Sequence, residues 1–182
     1  MEAHAAVHTI LPNVRQRRAA ADSSHLRRAD QLAPRTQDAL DRITRRAAEL
    51  LAVTVACASL LDNERRLLTS GAGLSAELAL LLSWPLCQHV IATRQPLAIA
   101  DARKHALMAK RPAVRDGMVM SYAGAPLIAS DGRAMGALFV MTPKPRVWTN
   151  AQLALLGDLA AELVSEVEQD LVAARRSRVA VS

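Results

Sequence analysis

Aromatic side chains are nearly absent from this chain. Its 182 residues include two tryptophans, one tyrosine and one phenylalanine, 2% in all, although 51% are hydrophobic. The core must therefore be built from Leu, Val, Ile, Ala and Met, without the large area that each aromatic ring buries. The same lack argues against a stacking platform for single-stranded nucleic acid. Cysteine is as scarce: Cys57 and Cys87, thirty positions apart, fit neither a zinc spacing nor a disulfide framework. No apolar run approaches the ~20 residues that span a bilayer. The opening MEAHAAVHTILPNV has neither the basic start nor the long apolar stretch of a secretion signal. A cytoplasmic protein without membrane attachment is expected. There is no phosphate-binding glycine loop, no nucleophile elbow and no recognisable pair of catalytic carboxylates.

The net charge of +6 is concentrated at the ends. Residues 1–34 hold five arginines against three acids, and 172–182 add Arg175, Arg176 and Arg178, whereas 35–171 carry 15 basic and 14 acidic groups. A nucleic-acid reader more often shows its basic face on the folded part, so nucleic acid is not an expected partner. The chain divides accordingly into a basic, mobile N-terminal arm (1–34, with a short helix near 14–21), one domain (35–171) and a basic tail (172–182). A body of that size buries about two-thirds of the surface its unfolded chain exposes and needs no covalent staples.

What is present is periodicity. In TQDALDRITRRAAELL, Leu40, Ile43, Ala47 and Leu50 make one helical stripe, with Thr36 or Asp38 as N-cap. VTVACASLLD is apolar on both alternations and reads as a central strand, turned by DNER into RRLLTS. Ser75–Leu82 reads as helical, and Ser83 as the cap of a second short helix, Trp84–Thr93, with Pro85 in its first turn. LAIAD is a strand, and 102–117 a basic excursion without strand pattern. SYAGAPLIA-SDG-RAMGALFVM is a hairpin turned by Asp131-Gly132, with Pro126 confined to an edge or a bulge. A last helix is expected over Ala151–Arg176, capped by Thr149 or Asn150. Its Leu153, Leu156, Ala160, Leu163, Val167 and Leu171 nearly form a heptad seam. Two readings follow. Either both end helices pack on the sheet, or, as the heptad-like spacing favours, Leu40, Ile43, Leu156, Leu163, Val167 and Leu171 form the interface of a homodimer.

Cys87 lies two residues before His89. On a helix that is about 200° of rotation, so the two point to nearly opposite sides and cannot share one metal ion or form a close ion pair. The remaining histidines are His4, His8, His25 and His105, and no metal site is expected. Cys87 shares its side with Leu86, Val90 and Ile91 and reads as a small buried hydrophobe. His89 is open between a pocket-lining and a structural part.

ALDRITRRAAELL, VACASLLD, CQHVIATRQPLAIADAR, AVRDG, SYAGAPL with SDGRAMGALFV, and RVWTNAQLALLGDLA, in that order, resemble a GAF domain, the small-molecule-sensing relative of the PAS fold in bacterial signalling proteins. The resemblance spans roughly residues 36–171. It implies an α+β, GAF/PAS-like fold: a central antiparallel sheet of about six strands, the terminal helices on one face, and a ligand pocket on the other beneath residues 83–117. Candidate pocket residues are then Trp84, Cys87, His89, Asp101, Arg115 and Tyr122. Arg103, Lys104, Lys110, Arg111 and Arg115, with His105, fall in the lid; they read as a solvated, charged loop, with attraction of an anionic metabolite or nucleotide as the alternative. The chain departs from the family at Pro85-Leu86, where relatives show Ser-Phe, and at Phe139 and Thr142, where they often show Cys and Asp. Bilin-binding relatives carry an adjacent Cys-His pair, which Gln88 interrupts here, and neither bilin nor haem is expected. The implied function is a regulatory, non-enzymatic module that senses a small molecule in bacterial signal transduction and acts through a partner protein. Two alternatives stand beside it: a thiol-dependent oxidoreductase of the free methionine sulfoxide reductase type using Cys87, and a ligand-free interaction scaffold.

Overall fold

The computed structural model describes residues 26–28, 33–61, 67–73 and 76–180. The expectations for 1–25, including the short helix, and for the DNER turn lie outside the described residues. The strands are β1 (Leu26–Arg28), β2 (Val55–Leu61), β3 (Leu67–Ala72), β4 (Leu97–Ile99), β5 (Ser121–Ile128) and β6 (Ala134–Thr142). The helices are α1 (Pro34–Leu50), α2 (Ala76–Thr93), α3 (Pro112–Arg115) and α4 (Asn150–Ala180). The sheet order is β1-β3-β2-β6-β5-β4. Strands β2 to β6 pair antiparallel throughout, as expected, whereas β1 joins the edge parallel to β3, from within the stretch read as an arm.

The β5–β6 hairpin turns at Gly132, whose φ of +81° suits a residue without a side chain. Asp131 accepts from the Arg133 backbone N–H at 3.0 Å and from its Nε at 2.7 Å, closing the turn. Pro126 lies beyond the last residue of β5 that pairs with short β4, so its missing N–H is not demanded on that side. Alternation sorts the strands into two buried layers. Ala56, Ala58, Leu60, Ala123, Ala125, Leu127, Leu138 and Val140 face α1 and α4, while Val55, Cys57, Tyr122, Ala137, Phe139 and Met141 face the other way.

On the helix side, α1 and α4 run antiparallel. Thr36 donates to Asp170 at 2.6 Å near one end of the pair, and Arg42 and Arg46 reach Glu162 and Glu166 farther along. Leu40, Ile43, Leu156, Leu163 and Val167 are all at most 4% exposed and pack within this chain's own core. Among the six residues read as a dimer seam, only Leu171 is open, at 50% exposed. A 3-4 stripe records that a helix face is covered, and here the cover is the chain's own sheet.

Three boundaries also differ from expectation. Helix α1 starts at Pro34, with Ala33 as an N-cap that makes no side-chain bond, because proline's fixed φ and missing N–H suit the first helical position. The two expected segments 75–82 and 84–93 form the single helix α2, with Pro85 inside it. Burial of Leu86, Cys87 and Val90 holds that helix together across the missing hydrogen bond. Helix α4 continues to Ala180 and takes in most of the expected tail. Its start is a reciprocal cap: Gln152 N–H donates to the Thr149 hydroxyl at 3.2 Å, and the Gln152 side chain accepts from Thr149 N–H at 3.1 Å.

Candidate functional site

Across β2, β6, β5 and β4, the face away from α1 and α4 is laid out in rows. One row is Val55, Met141, Tyr122 and Ile99, the next Cys57, Phe139 and Gly124, and the third Ser59, Ala137 and Pro126. Over them lies a cover made of Leu86, Cys87 and Val90 from α2, Ala102 in a single 3-10 turn, Met108, Ala113 and Val114 from α3, and Val119. Apart from α2, the cover consists of short pieces. It is tied down by Ala102 N–H to the Met120 carbonyl at 2.7 Å and Met120 N–H to the Thr142 carbonyl at 2.8 Å.

The polar atoms of this layer gather near its middle. The Ser59 hydroxyl lies 3.4 Å from Cys87 Sγ and donates to the Ala137 carbonyl at 3.3 Å. Neither Cys57 nor Cys87 is in a disulfide, and both are buried. Burial pushes the Cys87 thiol up to about 11, with the Ser59 hydroxyl pulling weakly the other way. Burial, reinforced by Cys87, raises the Cys57 thiol well above its ordinary range. Thiols held in the neutral form are poor nucleophiles, which runs against the oxidoreductase alternative.

Tyr122 is fully buried, and its ring stacks on Phe139 with centroids 5.7 Å apart and planes 23° from parallel. The side chain folds along its own strand over Gly124. A Cβ at 124 would lie 2.4 Å from the Tyr122 hydroxyl and 2.9 Å from two ring carbons. That hydroxyl is buried without a hydrogen-bond partner. Burial first, and then the neighbouring thiols, raise its pKa well above the usual phenol value.

The remaining expected site residues lie elsewhere. Trp84 packs at the margin of the layer, half-buried. His89 is exposed on the opposite side of α2 from buried Cys87. Asp101 caps the 3-10 turn: it accepts from Arg103 N–H at 3.1 Å and from the Arg103 guanidinium at 2.9 and 2.7 Å. The Arg103 side chain holds the Asp101 carboxyl down to about 2. Arg115 is exposed at the end of α3, and Arg103, Lys104 and Lys110 are exposed on the same cover. His105 is half-buried, with an unpartnered Nδ1. The structure thus brings together Cys87 and Tyr122 and leaves His89 and Arg115 outside. Reading of the sequence missed Ser59 and Gly124 as part of the site, and noted Phe139 only as a departure from the family pattern. The available signals were that Ser59 is the one hydroxyl in VACASLL, and that Gly124 follows the only tyrosine by two positions, on the same strand face.

A GAF domain family model matches residues 35–167. The chain belongs to the GAF domain family. As such it is a regulatory or sensory module of the GAF type. The fold is similar to that of the GAF domain of an Acinetobacter phosphoenolpyruvate-protein phosphotransferase: TM-score 0.64 and 24% identity, covering 79% of this chain and 88% of that one. It is also similar to a domain of a putative two-component sensor histidine kinase from Sinorhizobium meliloti, with TM-score 0.63, 16% identity and coverage of 80% and 99%. GAF3 from Slr1393 of Synechocystis matches with TM-score 0.62, 16% identity and coverage of 77% and 98%. No curated protein matches the chain in sequence. The family departures now have places: Leu86 is in the cover of the GAF layer and Phe139 is in its floor. Among the described residues, no group of three or more His, Cys, Asp or Glu is placed to hold a metal ion, and no helix is long and apolar enough to cross a membrane.

Proposed function

We propose that this GAF module binds a small molecule between the sheet and the 83–117 cover and passes the event through α1 and α4 to a partner protein. The observation that carries this reading is the asymmetry of the two layers. One face of the sheet is closed by α1 and α4 over an apolar core, the other by α2 together with the short turns of 102–119, over two thiols, a hydroxyl and an unpartnered phenol. Turns of three or four residues open at lower free energy than long packed helices, and binding sites are drawn from that end of the range. Both layers are built on the same strands, so Tyr122 and Gly124 alternate along β5 with Ala123 and Ala125, which touch the helices. A ligand that prefers one packing of the lower layer thereby biases the upper one.

The homodimer is part of this proposal. Thr36 bonds Asp170 near the start of α1, so Leu171–Ala180 run past that start for about 15 Å at 1.5 Å per residue. Leu171 and Val172, 50% and 48% exposed, open that segment and would meet the second copy. Native mass spectrometry of the purified full chain tests both parts. A dimer carrying a discrete added mass is expected. A monomer at micromolar concentration overturns the dimer. Binding of a small molecule without a change in amide-exchange protection over 102–120 overturns the site.

A further inference from the structure

Resting on that assignment of the site, we infer that its ligand is an uncharged molecule about one aromatic ring in size, bearing a hydrogen-bonding group, and that it binds by displacing the ring of Tyr122.

Charge is the first argument. Among the residues whose burial is described no Asp, Glu, Lys, Arg or His is fully buried; half-buried His105 brings one unpartnered ring nitrogen to the cover, and the buried polar groups of the sheet side are neutral hydroxyls and thiols. Arg115 and His89 are exposed, and Asp101 is held by Arg103 on the cover. An anion placed on Phe139 would lose its hydration and find no buried Lys or Arg to pair with among the described residues. The basic cover therefore steers nothing into the layer that could remain there as an anion.

Shape is the second. Tyr122 lies on Phe139 and over Gly124, the one position in its row with no side chain. The slot under the cover is thus one ring thick and already filled by a phenol from the chain itself. A planar guest of similar size reproduces the stacking on Phe139, and its polar group has the Ser59 hydroxyl and the Cys87 thiol within the same layer.

The third argument is the cost of the filled state. With its ring inside, Tyr122 keeps an O–H that is buried and unbonded. Turning outward gives that O–H water to bond, which offsets part of the loss of ring burial. The resident phenol is a plug held less tightly than its ring contacts alone would hold it.

Tyr122 is the only tyrosine, so 3-fluorotyrosine labels the full chain at one position. The probes are 4-methylphenol and, as an anion of similar shape, 4-methylbenzoate. Without probe, the 19F resonance should be shielded from a water-soluble paramagnetic relaxation agent. Saturating 4-methylphenol should expose it, and 4-methylbenzoate should not. Tyr122→Phe keeps the ring and removes the unbonded O–H. It should raise the melting temperature and weaken 4-methylphenol binding about tenfold, because the plugged state is favoured. The proposal is overturned if the anion displaces the label as well as the phenol does. It is overturned if 4-methylphenol binds while the label stays shielded, or if neither probe moves the label at millimolar concentration. An equal melting temperature and affinity in Tyr122→Phe overturns the plug. If anionic molecules protect 102–120 from exchange, the ligand class fails and the site stands. If no small molecule of either charge does so, the site itself fails.

Discussion

Replacing Gly124 by alanine would put a methyl group 2.4 Å from the Tyr122 hydroxyl and 2.9 Å from its ring. The obstacle is a rigid ring pinned between Phe139 and the cover, so the clash is not relieved by a small rotation. Gly124→Ala should destabilise by about 1–3 kcal/mol in urea unfolding. The loss should shrink when Tyr122→Ala is combined with it, since the two changes are coupled through contact. Additive losses would mean that the ring does not rest on Gly124. The thiols give a second expectation. Cys87 has its pKa raised from 9.0 to about 11, so the neutral thiol is the form the folded chain favours. Its contribution is fully present below pH 9 and is lost as pH rises towards 11, so stability should fall across that window. Cys57, raised in the same direction, adds to the same fall. Iodoacetamide at pH 8 should modify neither thiol faster than the protein opens. Rapid alkylation of Cys87 in the folded protein would revive a catalytic reading. The burial of Cys87 was legible in the sequence; the contact of Tyr122 with Gly124 was not. The 200° separation of Cys87 and His89 follows from helix geometry, but the fold of Tyr122 over Gly124 depends on a side-chain rotamer that only Phe139 and the cover select.

Helices and strands were more legible, because their rules are local. Asp131-Gly132 between two apolar runs marks a hairpin whatever surrounds it, and the two-sided apolar pattern of β6 required cover on both faces. Pro85 misled for the same reason: locally it marks a first turn, and tertiary burial of the residues after it carries the helix through. Pro85→Ala should restore a hydrogen bond to the Leu81 carbonyl and raise stability by about 1–3 kcal/mol. A helix that begins at residue 84 would show no such gain. Thr149→Ala removes one half of the reciprocal cap on α4 and should lower stability by ~1 kcal/mol in the same assay. Arg42 bridges α1 to Glu162 and Glu166, yet its side chain is 45% exposed, so Arg42→Ala should lower stability by less than ~1 kcal/mol at 0.15 M salt.

At the level of the whole molecule, the helical stripe illustrates what sequence leaves open. Leu40, Ile43, Leu156, Leu163 and Val167 repeat as a dimer seam would, and they are buried inside one chain. A periodic stripe reports contact with something apolar, and an alanine-lined sheet of the same chain answers that description as well as a second helix does. The basic residues of 102–115, by contrast, were legible as a solvated, charged cover, and Arg103, Lys104, Lys110 and Arg115 are exposed on it. A chain ended after Asp170 tests the remaining dimer surface, because it removes Leu171 and Val172. Described side chains beyond Asp170 are exposed, so the melting temperature should hold within ~2 °C. Sedimentation should then show less dimer than the full chain, and an unchanged dimer would place the interface on another face.

The contact between Tyr122 and Gly124 also fixes an order of descent. A lineage that first gives up the ring at 122 leaves room beneath it, and a larger residue at 124 can follow without strain. A lineage that first enlarges 124 must pass through a form in which both cannot be seated. Among relatives of this chain, large side chains at 124 should therefore occur with a non-aromatic residue at 122. Forms with glycine at 124 and no ring at 122 mark the passage between the two.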